Sequence, residues 1–330
     1  MKKYIPLNVL AFLLIATSLF SQNNYSGGNI PQPFTYTENG LKHYGNVVYG
    51  HAKDWKDYDV TLSMDIVCPR FLANDSIKKH PVILLLHGGG FVHSYKENLR
   101  KEIELIARQG FVAVSIDYRE GLNQYPDKWD STLYLALYRA VQDTKAALRF
   151  LACNASEYTI DTSSIFIGGA SSGALTALYS EYYIQANWEN KFPWIGKYLG
   201  NTDSSTNTLK SAYSVKGIID MWGGIGDTSS ISASDARRLP ILIFHGTADT
   251  IVPYTSADGH YRKMVPVQGG YLIAQRYKHL QGCYQLTTIA KGEHVSGLKT
   301  NYLIQQITRF CENVIQGDCT AGEITLPFEP

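Results

Sequence analysis

The chain alternates between two kinds of apolar stretch. In "DVTLSMDIVCP", Val60, Leu62, Met64 and Ile66 recur every second residue, the pattern of a strand covered on one face. In "HPVILLLHGGG" the run from Val82 to Leu86 is unbroken, as expected of a strand buried on both faces. "RKEIELIARQG" then has helical spacing, with Gly110 as its stop. "FVAVSIDY" predicts a second buried strand. "TLYLALYRAVQDTKAALRFLACNA" predicts a long helix carrying Leu137, Val141, Ala147, Leu148 and Leu151 at helical spacing. "SSIFIGG" and "ALTALYSEYYIQA" predict a third strand and a third helix. From Asn187 to Ser214 the rhythm breaks into a polar stretch with Trp188, Phe192, Trp194 and Tyr198, which predicts a lid-like insertion over one end of a sheet. It resumes with "VKGIIDMWG", "RRLPILIFHG", a short helix around Gly259 to Met264, "QLTTIAKG" and a closing helix "KTNYLIQQITRFCENVI". Strands alternating with helices imply an α/β fold, a mostly parallel twisted sheet with helices on both faces.

Length and composition narrow the picture. At 330 residues, 45% hydrophobic and 18% charged, the chain can bury a large core. A net charge of +1 gives no electrostatic reason to expect nucleic acid as a partner. Tyrosine outnumbers phenylalanine 23 to 12, and its apolar ring with a polar tip suits clefts that take carbohydrate-like or aromatic ligands. "MKKYIPLNVLAFLLIATSLFSQNN" has a basic start, a short apolar core and small residues after it. That is the form of a secretory signal over residues 1–21, and its apolar run is shorter than the ~20 residues of a spanning helix. The expected mature product is one domain over residues 22–330, secreted or periplasmic, with no stable membrane insertion after cleavage; residues 22–58 read as an ordered polar arm. Export permits disulfides among Cys68, Cys153, Cys283, Cys311 and Cys319. Cys311 and Cys319 are near in sequence and could pair, but spacing does not decide the pairing. No zinc-ligand spacing occurs, and neither metal nor cofactor is expected.

The chemistry-bearing clusters all follow predicted strands, where an open parallel sheet places its ligands. Gly169-Ala170-Ser171-Ser172-Gly173 fits G-x-S-x-G, a turn that lifts a serine hydroxyl above the sheet. Small neighbours let strand and helix pass closely at a strained residue. The helix that follows points its N-terminus at developing negative charge. Ser171 is the central residue and Ser172 the weaker candidate. Serine needs a base, and His294 in "KGEHVSG" lies between the last predicted strand and the last helix. The base needs an orienter, and Asp249 in "HGTADTIVP" follows "ILIFHG". Asp249 could instead cap a helix, and Asp220 at another strand end is the fallback acid. "HGGG", His87 to Gly90, offers unobstructed backbone N–H groups to an oxyanion, with the Ser172 N–H as a further donor.

As a set, "LLLHGGGF", "IDYR", "RAVQDTKAALRFL", "GGASSGA", "HGTADTIVP" and "GEH" resemble the α/β-hydrolase esterases of the carboxylesterase and hormone-sensitive-lipase type, nearest to secreted feruloyl- or acetyl-esterase-like bacterial forms. The resemblance spans about residues 60–316. It implies a Ser171–Asp249–His294 triad, Gly89, Gly90 and Ser172 as oxyanion donors, and Asp143 as a structural residue. The chain departs from the pattern in carrying Ser172 where the family usually has Ala, and "EGLNQ" after "DYR".

The expected activity is serine carboxyl-ester hydrolysis through an acyl-enzyme, on short-chain or polysaccharide-linked acetyl or feruloyl esters. Trp188, Trp194 and Trp222 are the expected pocket walls. Two other readings compete. A serine exopeptidase of related fold would cleave a dipeptide anilide. A catalytically dead hydrolase used for binding would take no organophosphonate label.

Overall fold

The computed structural model describes residues 32–69, 79–122, 129–256, 266–294 and 297–328. Strands β1 (Phe34–Glu38), β2 (Leu41–Lys53) and β3 (Asp59–Pro69) lead into β4 (His80–Leu86), helix α1 (Arg100–Ala107), β5 (Val112–Ile116) and α2 (Trp129–Cys153). Next come β6 (Ile160–Ala170), α3 (Ser172–Tyr182), α4 (Gln185–Lys191), α5 (Ile195–Leu199), β7 (Val215–Met221) and β8 (Gly224–Ile225). The chain continues through α6 (Ala233–Arg238), β9 (Ile241–Gly246), β10 (Gln268–Gly269), α7 (Gly270–His279), β11 (Tyr284–Ala290), α8 (Thr300–Gln316) and β12 (Gly322–Pro327).

Ten of these strands form one sheet in the order β1-β2-β3-β5-β4-β6-β7-β9-β11-β12. The pairs from β1 to β5 are antiparallel, and those from β5 to β12 are parallel. β8 and β10 form a small antiparallel pair of their own.

The unbroken apolar run of β4 has a plain cause: its residues alternate between two buried layers. Val82, Leu84 and Leu86 join Leu137, Val141 and Leu148 of α2 and Leu178 of α3. Ile83 and Leu85 join Ile103 and Ile106 of α1 and Leu303, Ile307 and Phe310 of α8. The expected helix–sheet–helix layering is therefore present, with apolar burial on both faces supplying the main driving force. Register brings the strand ends to one edge. Leu86 pairs with Gly169, Ala170 with Met221, Met221 with Phe244, and Gly246 with Ile289. The turns after β4, β6, β7, β9 and β11 thus all open on the same rim.

The loop after β5 is fixed to α2 through a buried ion pair. Arg119 meets Asp143 through Nε and Nη2, with the Nη2 contact at 2.8 Å, and its backbone N–H donates to Asp143 Oδ2. Asp143 also accepts from Thr206 Oγ1, and no part of it is exposed.

Several expectations from sequence are corrected. Residues 34–53 are not an arm but strands β1 and β2, joined to the sheet edge. Helices α6 and α7 and strand β12 are added to the elements expected from sequence; α7 buries Gly270, Ile273, Ala274 and Tyr277 at helical spacing, and β12, mostly exposed, adds to β11 as an edge strand. The stretch from Asn187 to Ser214 is partly helical, and its hydrogen bonds run chiefly to α2, β2 and β6. Tyr138 Oη and Gln142 Nε2 of α2 donate to Gly200 O, Arg149 Nη2 to Ser205 O, and Asn207 Nδ2 to Tyr49 O. Ser214 N then donates to Thr162 O at the amino-terminal end of β6. The segment is a strap along α2, and Thr206 within it also meets Arg119 in the loop after β5. Cys319 pairs with Cys283, stapling the start of β11 to the approach to β12, while Cys311 is buried in α8 with a free thiol. The signal segment at 1–21 and the helix expected at Gly259–Met264 lie outside the described residues.

Candidate active site

Ser171 stands where β6 passes into α3, with φ 55° and ψ −119°. A side chain is strained there, and the structure holds it by contacts on both sides. Ser171 N donates to Met221 O of the next strand at 3.0 Å, and its carbonyl accepts from Leu175 N in the first turn of α3. The flanking glycines are required by clearance. A β-carbon at Gly169 or at Gly173 would collide with the Leu86 carbonyl at the end of β4.

The three residues singled out from sequence meet. His294 Nε2 lies 2.8 Å from Ser171 Oγ, and His294 Nδ1 lies 2.8 Å from Asp249 Oδ2. An ionised carboxylate only accepts, so Nδ1 carries the proton and Nε2 is left to accept the Ser171 hydroxyl. Asp249 Oδ1 is occupied by the N–H groups of Ile251 and Val252, at 2.8 and 2.9 Å. Burial disfavours its charge, but hydrogen bonds from His245 and then His294 outweigh that and hold the carboxyl down to about 2. Asp249 therefore does two things: Oδ2 is a charged anchor for His294, and Oδ1 closes the turn at Ile251 and Val252.

His245 is the member of this network that sequence reading passed over. It is fully buried, and Gly270 N donates to its Nδ1 at 3.2 Å. The ring proton therefore sits on Nε2, which points at Val252 O (2.9 Å) and Asp249 Oδ2 (3.3 Å). The signal was its place in "HGTADTIVP", four residues before the acid.

The fallback acid, Asp220, is not joined to His294. Its Oδ1 accepts from Gly223 N at 2.8 Å, and its Oδ2 is buried without a partner among the described residues. Burial pushes this carboxyl up to about 6. The folded chain then holds a proton that the unfolded chain releases near pH ~4, so stability falls as pH rises through that window. Asp220→Asn removes this loss. Its melting temperature relative to wild type is expected to rise by several degrees between pH 5 and pH 8, an effect of about 1–2 kcal/mol. A difference that does not change with pH would contradict the assignment.

The glycine turn lies against the serine. A β-carbon at Gly88 would stand 3.1 Å from Ala170 O and 3.6 Å from Ser171 Cβ. Gly89 and Gly90 have φ of +116° and +64°. Of the three expected oxyanion donors, the N–H groups of Gly89 and Ser172 have no acceptor among the described residues. The Gly90 N–H is already spent, donating to Ser172 Oγ at 3.1 Å.

The expected tryptophans separate. Trp222 follows β7, next in sequence to Met221, whose carbonyl holds Ser171 N, and its side chain packs on the core layer that faces α1 and α8. Trp188 is wholly buried among Tyr134, Tyr138, Tyr179 and Tyr183, with ring centroids 5.1–6.5 Å away. It is core, because the strap folds it inward against α2 and α3. Trp194 is 45% exposed and borders a surface depression with Lys197 and Tyr198 on the strap.

Comparison with known proteins bears on the family and the fold. The BD-FAE family model matches residues 64–235, over half of the chain. A non-reducing polyketide synthase of Penicillium brasilianum is 42% identical over 78 residues, but this chain spans only 3% of that protein. Esterase LipC of Mycobacterium tuberculosis is 23% identical over 267 residues, 72% of this chain and 62% of that one. Among solved structures, a truncated carbohydrate esterase from gut microbiota superposes with a TM-score of 0.56 at 18% identity. It covers 86% of this chain and 100% of its own, which shows the shared α/β-hydrolase fold.

Proposed function

The chain belongs to the BD-FAE family, and from that premise we propose that it is a serine carboxyl-ester hydrolase with Ser171 as nucleophile, His294 as base and Asp249 as the residue that orients His294. The observation that carries this reading is the continuous hydrogen-bond path from Ser171 Oγ through both His294 nitrogens to Asp249. Ser171 Oγ attacks the ester carbonyl carbon as its proton passes to His294 Nε2. The carbonyl oxygen becomes an oxyanion received by the N–H groups of Gly89 and Ser172, at the N-terminus of α3. Collapse breaks the ester C–O bond, and the departing alcohol takes the proton from His294. Water then attacks the acyl-serine, gives its proton to His294, and the acid leaves as Ser171 recovers its hydrogen.

The substrates proposed are short-chain or polysaccharide-linked acetyl and feruloyl esters. The similarity to a carbohydrate esterase supports this class. Secretion by way of residues 1–21 completes the proposal. The Cys283–Cys319 disulfide suits an oxidising compartment, and no described helix is long and apolar enough to cross a membrane.

Parallel assays with phenyl acetate, butyryl, octanoyl and feruloyl esters and a dipeptide anilide test the reading. Hydrolysis of the esters, with anilide turnover lower by at least ~10²-fold in kcat/KM, is expected. Preferential cleavage of the anilide would replace the esterase by an exopeptidase.

A further inference from the structure

The HGGG turn contains a structural contradiction that its own residues cannot resolve. It has to be glycine: a β-carbon at Gly89 would meet Ser94 Cβ at 2.7 Å and His93 O at 3.0 Å, and two of the three glycines have positive φ. Yet a run of glycines has no side chains with which to hold one conformation. An oxyanion donor works only if it is aimed before the reaction begins, so the turn must be fixed from outside.

We propose that the side chains of Ser172 and Tyr118 form a latch that clamps both ends of the His87–Gly90 turn and so aims the Gly89 N–H at the reacting carbonyl. Both are positioning residues, and the inference rests on the ester-hydrolase reading of the same site. Counting protons gives the latch a direction. Tyr118 Oη has one hydrogen and donates it to His87 O at 2.7 Å. Ser172 Oγ accepts from Gly90 N at 3.1 Å. The 3.3 Å contact between the two hydroxyls is then filled in one way, with Ser172 donating to Tyr118. The path runs from Gly90 N–H through Ser172 and Tyr118 to the His87 carbonyl. It joins the first and last residues of the turn through side chains from the end of β5 and the start of α3.

The surroundings favour this arrangement. Ser172 and Tyr118 are 3% and 4% exposed, so water competes little for these groups. The Tyr118 ring stacks on His87 at 4.2 Å and 14°, and meets Phe91 edge-on at 6.2 Å. His87 Nδ1 lies 2.8 Å from Gly88 O, a third tie within the turn. Burial raises the Tyr118 phenol, which keeps the hydrogen that the path requires, and lowers the His87 imidazole on which it stacks. The latch also assigns a purpose to a serine where Ala is usual. Its hydroxyl engages Gly90 and leaves oxyanion binding to Gly89 and the Ser172 backbone.

Kinetics and amide hydrogen exchange of Ser172→Ala, Tyr118→Phe and the double variant test the latch in the full chain. Each single change is expected to lower kcat on phenyl acetate by about 10-fold with KM within about twofold, the signature of a loss confined to the transition state. The double variant is expected to be no worse than the poorer single, because both changes break one path. Exchange in the peptide containing Gly88–Phe91 is expected to rise about 10-fold or more. Ser172→Thr, which keeps the hydroxyl, is expected to recover part of kcat. Unchanged or faster turnover by Ser172→Ala, or losses that multiply in the double variant, would overturn the latch while leaving the Ser171 assignment standing. If the wild type hydrolyses no ester, the functional reading fails and exchange alone decides: faster exchange sustains the clamp, and unaltered protection removes it.

Discussion

Ser171→Ala is expected to lower kcat on a short acyl ester by at least ~10⁴-fold while leaving the chain folded. The hydroxyl is the atom that bonds to the acyl carbon, so no rearrangement of neighbours supplies it. Ser172 is near in sequence but does not substitute. Its hydroxyl is buried, turned toward Gly90 and Tyr118, and has no contact with His294 among the described residues. The fold survives because the backbone features that create the turn are untouched. Ser171 N still reaches Met221 O, Leu175 N still reaches Ser171 O, and Gly169 and Gly173 keep their close approach to β4. Loss of one partly exposed hydroxyl is expected to move the melting temperature by no more than a few degrees. Turnover within about tenfold of wild type would reassign the nucleophile.

The second large effect is expected at Asp249→Asn, with a fall of about 10³–10⁴-fold in kcat. The variant is nearly isosteric, and its surroundings dictate how the amide sits. Ile251 N and Val252 N both donate to the Oδ1 position, so the amide oxygen is held there. The amide NH₂ then occupies the Oδ2 position, facing His294 Nδ1 and the N–H of His245. A donor facing Nδ1 makes that nitrogen an acceptor and moves the ring proton to Nε2, which then cannot take a proton from Ser171. The His245 N–H also loses a charged acceptor. Near-normal rates in this variant would mean that Asp249 does not set the state of His294.

Much of this site was readable because its chemistry is punctuated. A fully apolar strand followed by three glycines, or by a serine between glycines, has few structural alternatives, and strand register then brings the turns together. Ser171, Asp249 and His294 lie 78 and 45 residues apart in sequence, but each follows a strand whose carboxyl end meets the same rim. What escaped sequence reading depends on tertiary contact. Trp188 and Trp194 look alike in a polar stretch, and only packing against α2 and α3 makes one core and the other surface. β12 is mostly exposed, so it carries no burial pattern and is defined by its partner β11. The Cys283–Cys319 pairing follows from that same edge. His245 and Tyr118 stood inside recognisable motifs, but their roles follow from which carbonyl, carboxylate or hydroxyl each one faces. The open Gly90 donor expected from sequence was lost for a local reason, the hydroxyl on the next residue after the nucleophile.

The most direct measurement is covalent labelling with an organophosphonate ester followed by peptide mass analysis. The account predicts one adduct per chain, located on Ser171, formed in step with loss of esterase activity and absent from Ser171→Ala. An adduct on another residue that tracks the loss of activity, or full activity retained after Ser171 is modified, would contradict it.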